Sequence, residues 1–412
     1  MMDELQVTPL NSWHKNAGAN MADFGGFEMP LWYESGVKNE HLAVLKSAGI
    51  FDTSHMACIK VNGKDSFTLI QLCFTRNIKT LQQGRCGYGA FLDSNAHCID
   101  DAIVYKFGDT NFVICVNAGM GARIAGHLSD NKGNFQVEIE DLTEKIAKMD
   151  VQGKNSARIL SRVVKDPEKV FEKMPYFSFK GNFEGSSDVE LLDGTPVLLS
   201  RSGYTGEFGF EIFVTPDAIV KLWQDILEAG KEYHIMACGL ASRDSLRVGA
   251  CLPLSHQDIG NWEFINHPWE FALPYNNDAS SFTKDFLGRQ ALENSKNESY
   301  TYPFAGKTLR KVAAGENTFV IDEEKNNIGW VLTCATDMGI SRYENKIVSL
   351  ATPGLPEDVK IKGIGCGFVR VSKQLEPGTK LELKEGNRSI KVSIVSDIRP
   401  DRTARKKITN FI

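Results

Sequence analysis

Long apolar runs, paired cysteines and stretches of one charge sign are all missing from this sequence. No segment approaches the ~20 apolar residues of a membrane-spanning helix, and the start, MMDELQVTPL, lacks the basic and apolar regions of a secretory signal. The 47 basic and 52 acidic residues give a net charge of -5 without a long run of either sign, which argues against a nucleic-acid partner. We therefore expect a cytoplasmic protein that binds neither membranes nor nucleic acid.

The usual sequence signatures of metal sites and disulfide frameworks are also missing. The nine cysteines are scattered singly, with no C-x-x-C pair, and the eight histidines form no H-E-x-x-H motif. An odd, dispersed set of cysteines does not suit a disulfide scaffold or a zinc ribbon. The sequence predicts no metal.

What is present is the ordinary composition of a folded protein. Hydrophobic residues make up 42% of the 412 positions and charged residues 24%. At roughly 150 residues per domain, this length predicts two or three domains.

The first 280 residues mix helices and strands without regular alternation. Helical spacing predicts a helix over 35–48, capped by Ser35, and another with Asp65 as its cap. The segments AIVYKF and NFVICVN flank a short turn at 108–110 and predict a buried hairpin. This mixture favours an α+β fold over a doubly wound parallel sheet.

The residue pattern changes after about residue 280. A polar, irregular segment precedes short alternating strands, with hairpin turns at Lys325 and Asn326 and at Gly386 and Asn387. The C-terminal hundred residues are therefore predicted to form a small β-barrel. The three glycines at 363–367 lie among strands with no helix after them, so they do not suit a dinucleotide-binding loop.

Two adjacent carboxylates, Asp100 and Asp101, stand at the entrance of the predicted hairpin. Strand alternation sends their side chains to opposite faces, so one of them can point into a pocket as a proton acceptor. A strand-entry turn without chemistry is an equally good interpretation.

Two further segments carry charged residues in patterned surroundings. The segment RSGYTGEFGFEIFV places Tyr204 on a glycine-rich turn and Glu211 in the strand that follows. A buried carboxylate at Glu211 would need hydrogen-bond donors, such as those on the edge of a pterin. A simple hairpin without a ligand is the alternative interpretation. ACGLASRDSLRVGA places Arg243 and Arg247 on one helical face beside Asp244, which suits either a bound anion or a local ion pair.

Taken together, these segments resemble the glycine cleavage T-protein family, the tetrahydrofolate-dependent aminomethyltransferases. Eight ordered stretches carry the resemblance. They are TPL at 8–10, DFGGFEMPLWY at 23–33, GIFDTSHM at 49–56, IDDAIVY at 99–105, VQG at 151–153, GYTGEFGFEI at 203–212, CGLASRDSLR at 238–247 and FLGRQAL at 286–292.

The resemblance implies a ring of three domains, with a folate-binding part of two subdomains over 1–285 and a C-terminal β-barrel over 300–408. It implies tetrahydrofolate as the acceptor, the lipoyl carrier H-protein as partner, and formation of 5,10-methylenetetrahydrofolate with release of ammonia. It assigns Asp100 as the catalytic residue. The folate-contacting positions that it implies are Met56, Tyr88, Asn117, Tyr204, Glu211 and Arg243.

The sequence departs from the family pattern on the side where the one-carbon donor would enter. The segment GNWEFINHPWEFALPYNN offers Trp262, Trp269 and Tyr275, whose rings can either pack in a core or hold a methylated cation. A tetrahydrofolate-dependent demethylase that takes a methyl group from a small methylated donor is therefore the alternative activity. A folate-binding relative without turnover is the third hypothesis.

Overall fold

The computed structural model describes residues 5–412, which form two sheets and a closed barrel besides two small hairpins. The first large sheet has six strands, and its central strands, Gly209–Val214 and Ala147–Gln152, are buried along their whole length. Polar side chains on these strands must therefore find partners inside the protein. In spatial order the strands are Phe179–Gly181, Leu198–Ser200, Gly209–Val214, Ala147–Gln152, Gly49–Asp52 and Met236–Ala237.

The second sheet has five antiparallel strands and contains the predicted buried hairpin. That hairpin is confirmed: Ala102 pairs with Val116, and Gly108 pairs with Asn111 beside the turn. The strands, in spatial order, are Arg85–Leu92, Cys98–Gly108, Asn111–Val116, Ala57–Asn62 and Glu138–Asp141. A separate small hairpin joins Asn20–Phe24 to Phe27–Trp32.

The helices lie near the predicted positions, and Ser35 and Asp65 occupy the N-cap positions of their helices as predicted, but without the side-chain bond of a cap. Neither Ser35 nor Asp65 makes a side-chain cap bond; the Asp65 carboxylate instead accepts from the backbone N–H of Gln136. Within residues 5–412, no helix is both long and apolar enough to cross a bilayer. The α-helices are Asn11–Asn16, Gly36–Lys46, Ser66–Cys73, Gly121–Asn131, Ser156–Leu160, Pro167–Phe171, Ile219–Ala229, Leu240–Gly249 and Arg289–Glu293, and the 3₁₀ turns are Ile78–Thr80, Lys231–Tyr233, Glu270–Ala272 and Ile408–Asn410.

The C-terminal region forms the predicted β-barrel. Both predicted hairpins are present, since Val320 pairs with Gly329 and Glu385 with Arg388. Around the closed barrel the strands are Tyr300–Ala305, Ile364–Val371, Asn327–Asp337, Gly315–Ile321, Lys380–Glu385 and Arg388–Ile394, and a side hairpin joins Ile340–Tyr343 to Lys346–Ser349. Beyond the barrel, Ile408 and Phe411 return to pack on the core of the first sheet.

A buried ionic network joins the barrel to the α+β part. Asp337, at the end of a barrel strand, accepts from His41 Nε2 at 3.0 Å and forms an ion pair with Arg399. Arg399 Nε also donates to Glu207 Oε1 at 3.1 Å. Burial disfavours charge on Asp337, but Arg399 and His41 outweigh it and hold the pKa of that carboxyl well below its usual range. These four side chains fix the barrel against the sheets that form the site.

Candidate functional site

One cavity collects side chains from both sheets and from the Leu240–Gly249 helix. Apolar residues such as Phe24, Ile103, Leu240 and Leu254 form part of its wall. The polar part of the wall includes Asp101, His55 and Asp244. The lining also contains all six positions implied as folate contacts, namely Met56, Tyr88, Asn117, Tyr204, Glu211 and Arg243.

Asp101 is the carboxylate of the adjacent pair that lines this cavity. Its Oδ2 accepts from the Tyr88 hydroxyl at 2.7 Å, and its Oδ1 accepts from Asn117 Nδ2 at 2.7 Å. Burial, followed by the charge of the neighbouring Asp100, raises the pKa of Asp101 to about 6. A carboxylate held in fixed orientation with such a pKa is suited to accept a proton near neutral pH.

Asp100 is fully buried and is not part of the cavity lining. Its Oδ2 accepts from the backbone N–H of Asn117 at 2.9 Å, and its Oδ1 accepts from Asn117 Nδ2 at 2.8 Å and from Ser255 Oγ at 2.9 Å. The catalytic role that the resemblance assigns to Asp100 stays a prediction. The geometry favours Asp101 for contact with a ligand, with Asp100 behind it.

Glu211 reaches the cavity from a central strand of the first sheet and is already paired with a cation. It lies directly across from Asp150 in the sheet, and Lys148 bridges the two carboxylates, at 2.5 Å from Glu211 Oε1 and 2.7 Å from Asp150 Oδ1. Ser202 donates to the other oxygen of Glu211. Because each carboxylate oxygen has two lone pairs, Glu211 can still accept from a ligand.

Arg243 and Tyr204 form an adjoining part of the wall. Arg243 Nη1 donates to Asp150 Oδ2 at 2.6 Å, and its guanidinium lies 5.0 Å from the centre of the Tyr204 ring. The Tyr204 hydroxyl donates to the carbonyl of Pro253, which fixes the ring plane. Lys148, Asp150, Glu211 and Arg243 thus form a buried group with two positive and two negative charges.

Sequence reasoning missed three members of this site: Lys148, Asp150 and His55. Lys148 and Asp150 share a strand face in AKMDVQ, so a polar pair inside an apolar strand was the available signal. His55 lies within GIFDTSHM, and its Nδ1 is buried without a hydrogen-bond partner. Burial lowers the pKa of His55 to about 4, so a neutral ring faces the cavity.

The residues present fit a flat heterocycle with amine and amide edges. Tyr88 and Tyr204 offer ring faces, and Glu211 and Asp101 offer acceptor oxygens. Such a set fits a pterin ring.

The aromatic segment lies outside this cavity. None of Trp262, Trp269 and Tyr275 is in its lining. The guanidinium of Arg370 lies 4.2 Å from the centre of the Trp262 ring, so a cation of the protein already covers one face of that ring. The segment approaches the cavity through Phe271, whose ring centre is 5.7 Å from that of Tyr88.

These contacts predict that the two tryptophans have different roles. Trp269 is 1% exposed and its ring N–H donates to the Cys251 carbonyl at 2.9 Å, so Trp269→Ala should destabilise the fold by about 3–5 kcal/mol. The partly buried Trp262 serves as the matched control, and Trp262→Ala should leave the folate Kd within about twofold. Urea denaturation and folate titration of both variants test this. A large loss of folate or donor binding in Trp262→Ala would restore a ligand role for the segment.

Comparisons with known proteins identify the family. The family model described as GCVT N-terminal domain matches residues 10–271. An aminomethyltransferase from Koribacter versatilis is 34% identical over 337 residues, covering 79% of this chain and 83% of the relative. An aminomethyltransferase from Thermoanaerobacter sp. is 31% identical over 396 residues, which cover 96% of this chain and 97% of the relative. The crystal structure of glycine cleavage system aminomethyltransferase T from Bartonella henselae superimposes with a TM-score of 0.77 at 25% identity, covering 98% of this chain and 99% of that one. The chain therefore belongs to the glycine cleavage T-protein family of aminomethyltransferases.

Proposed function

We propose that this protein transfers the aminomethyl group of a lipoyl H-protein to tetrahydrofolate. The products are 5,10-methylenetetrahydrofolate, ammonia and the dihydrolipoyl carrier. The observation that carries the proposal is one cavity lined by Tyr88, Tyr204, Glu211, Arg243 and Asp101, whose carboxylate is oriented by Tyr88 and Asn117. Membership of the aminomethyltransferase family supports the same reaction.

The reaction balances through two proton transfers from folate. Two folate nitrogens each form a bond to the methylene carbon and each lose a proton. The carbon–sulfur and carbon–nitrogen bonds of the aminomethyl group break, and the two protons end on the sulfur and on the departing ammonia. The protein must therefore orient a folate nitrogen, accept its proton and exclude water from the reacting carbon.

The cavity residues divide this work. Asp101, held by Tyr88 and Asn117, accepts the proton of the attacking nitrogen and stabilises the positive charge that develops there. Glu211 accepts from the amine edge of the pterin, while the ion pair with Lys148 holds that carboxylate in place. Tyr204 and Arg243 supply a fixed aromatic face and a cation for the rest of the ligand.

A single-turnover assay tests the proposal. Purified protein and tetrahydrofolate are mixed with aminomethylated H-protein or, in parallel, with methylated amines, sulfonium compounds and aryl methyl ethers, and the folate product is identified. Methylenetetrahydrofolate and ammonia from H-protein alone are expected. Methyltetrahydrofolate from a small donor would establish the demethylase instead, and tight folate binding without any product would establish a non-catalytic relative.

Glu211 provides a separate test of folate binding. Glu211→Gln replaces the charged carboxylate by a neutral amide of similar shape. The folate Kd should therefore rise about 10- to 100-fold. Glu190→Gln is the matched control, because Glu190 pairs with Lys165 at 2.8 Å on the surface. Isothermal titration with tetrahydrofolate measures both. Equal affinities for the two variants would remove Glu211 from the folate site.

A further inference from the structure

A half-exposed histidine, His256, lies beside Asp100 and is not part of the cavity lining. His256 Nε2 lies 3.5 Å from Asp100 Oδ1, the same oxygen that accepts from Ser255 Oγ. His256 has a φ of 62°, in the left-handed region that side chains with a Cβ rarely adopt. An unfavourable backbone conformation persists where surrounding contacts hold it, and it often accompanies a functional constraint.

A short chain of contacts links His256 to the cavity. Asn117 Nδ2 donates to both carboxylates, at 2.8 Å from Asp100 Oδ1 and 2.7 Å from Asp101 Oδ1. The carboxylates of Asp100 and Asp101 are therefore hydrogen-bonded to the same side-chain amide. Asp101 faces the ligand space, while Asp100 is covered by His256 and Ser255 on its other side.

We propose that His256 is a positioning residue for aminomethyl transfer: its positive charge balances Asp100 and thereby keeps the cavity carboxylate Asp101 ionised. The inference rests on the proposed function, because Asp101 is taken as the proton acceptor. His256 is not part of the cavity lining, and it acts through Asp100.

The charges around these groups set the direction of the effect. His256 is faced by Asp100 and Asp101 from one strand and by Arg123 from the Gly121–Asn131 helix. The hydrogen bond to Asp100 raises the pKa of His256, so His256 is cationic in the range near pH 6 where Asp101 titrates. Removing that cation leaves Asp100 uncompensated, which raises the pKa of Asp101 further.

The pH dependence of transfer measures this coupling. His256→Gln should move the acid limb of the single-turnover rate to higher pH by about 0.5–1 unit, and His256→Lys should restore the wild-type limb. His234→Gln is the matched control, since His234 is also exposed and has a φ of 53°. An unshifted limb in His256→Gln, or an equal shift in His256→Lys, would overturn the inference.

A second readout does not depend on turnover. The carboxyl carbon of Asp101, labelled with ¹³C and assigned by its loss in Asp101→Asn, is titrated by NMR in the wild type and in His256→Gln. The Asp101 midpoint should rise in the variant, and identical midpoints would refute the coupling even if transfer is normal. If the wild type transfers nothing from H-protein, the proposed function fails, while the NMR titration still decides the role of His256.

Discussion

Asp101→Asn should lower the single-turnover rate of aminomethyl transfer about 10³-fold while changing the folate Kd only a few-fold. The substitution preserves the shape of the side chain that receives the Tyr88 and Asn117 hydrogen bonds but removes the proton acceptor. Rapid-quench measurement of methylenetetrahydrofolate gives the rate, and equilibrium titration gives the Kd.

Asp100→Asn is the matched control for this experiment. Asp100 accepts hydrogen bonds from the backbone N–H and side-chain amide of Asn117 and from the Ser255 hydroxyl, so the new NH₂ group of Asn would face donors. We expect this to misplace Asn117 and to lower the rate about tenfold. The opposite order of the two losses would return the catalytic role to Asp100, as the resemblance assigns it.

The rate of the wild-type protein should also fall as the pH drops through about 6. Burial and the adjacent Asp100 raise the pKa of Asp101 to about 6, and the protonated form below that value cannot accept a proton. A rate that stays constant from pH 8 down to pH 5 would contradict Asp101 as the acceptor.

The second large effect is expected at the junction between barrel and sheets. Arg399→Met leaves Asp337 and Glu207 buried without their shared cation, which should reduce the free energy of unfolding by about 3–5 kcal/mol. Urea denaturation measures the loss. Arg162→Met, which removes an exposed ion pair with Glu232, is the control and should cost less than about 1 kcal/mol.

The same junction predicts the direction of a pH effect on stability. Arg399 and His41 hold the pKa of Asp337 below its usual value, so its contribution to stability is complete above about pH 4 and is lost as the pH falls through the native pKa. Arg399→Met should therefore show a weaker loss of stability on acidification than the wild type. An equal acid dependence in both would assign the effect to other carboxyl groups.

Much of the architecture could be predicted because it depends on local pattern. Period-two alternation and turn residues located the barrel hairpins, and the apolar runs around 108–110 located the central hairpin of the second sheet. Ser35 and Asp65 stand at the predicted N-cap positions, but neither side chain bonds to its own helix. The direction of a single side chain depends on distant contacts, and the Asp65 carboxylate accepts from a loop residue 71 positions away.

The sequence predicted which residues belong to the candidate site better than it predicted how they are arranged. The family resemblance named six of the residues that line the cavity, although they are spread from Met56 to Arg243. Tyr88 and Asn117 lie outside the eight matching stretches. The aromatic segment was ambiguous because composition does not reveal whether a ring face is open. In the structure Arg370 covers Trp262.

The sequence by itself determined the α+β class, the C-terminal barrel and the residue types available for folate chemistry. Strand alternation also implied that Asp100 and Asp101 point to opposite faces of their strand. Because other parts of the chain pack over both faces, alternation alone does not tell which of the two side chains borders the cavity. Which carboxylate lines the cavity, which cation pairs with Glu211 and which histidine lies beside Asp100 were decided only by the tertiary structure. These are contacts between residues 60 to 160 positions apart, and their electrostatic consequences follow from burial that no local pattern encodes.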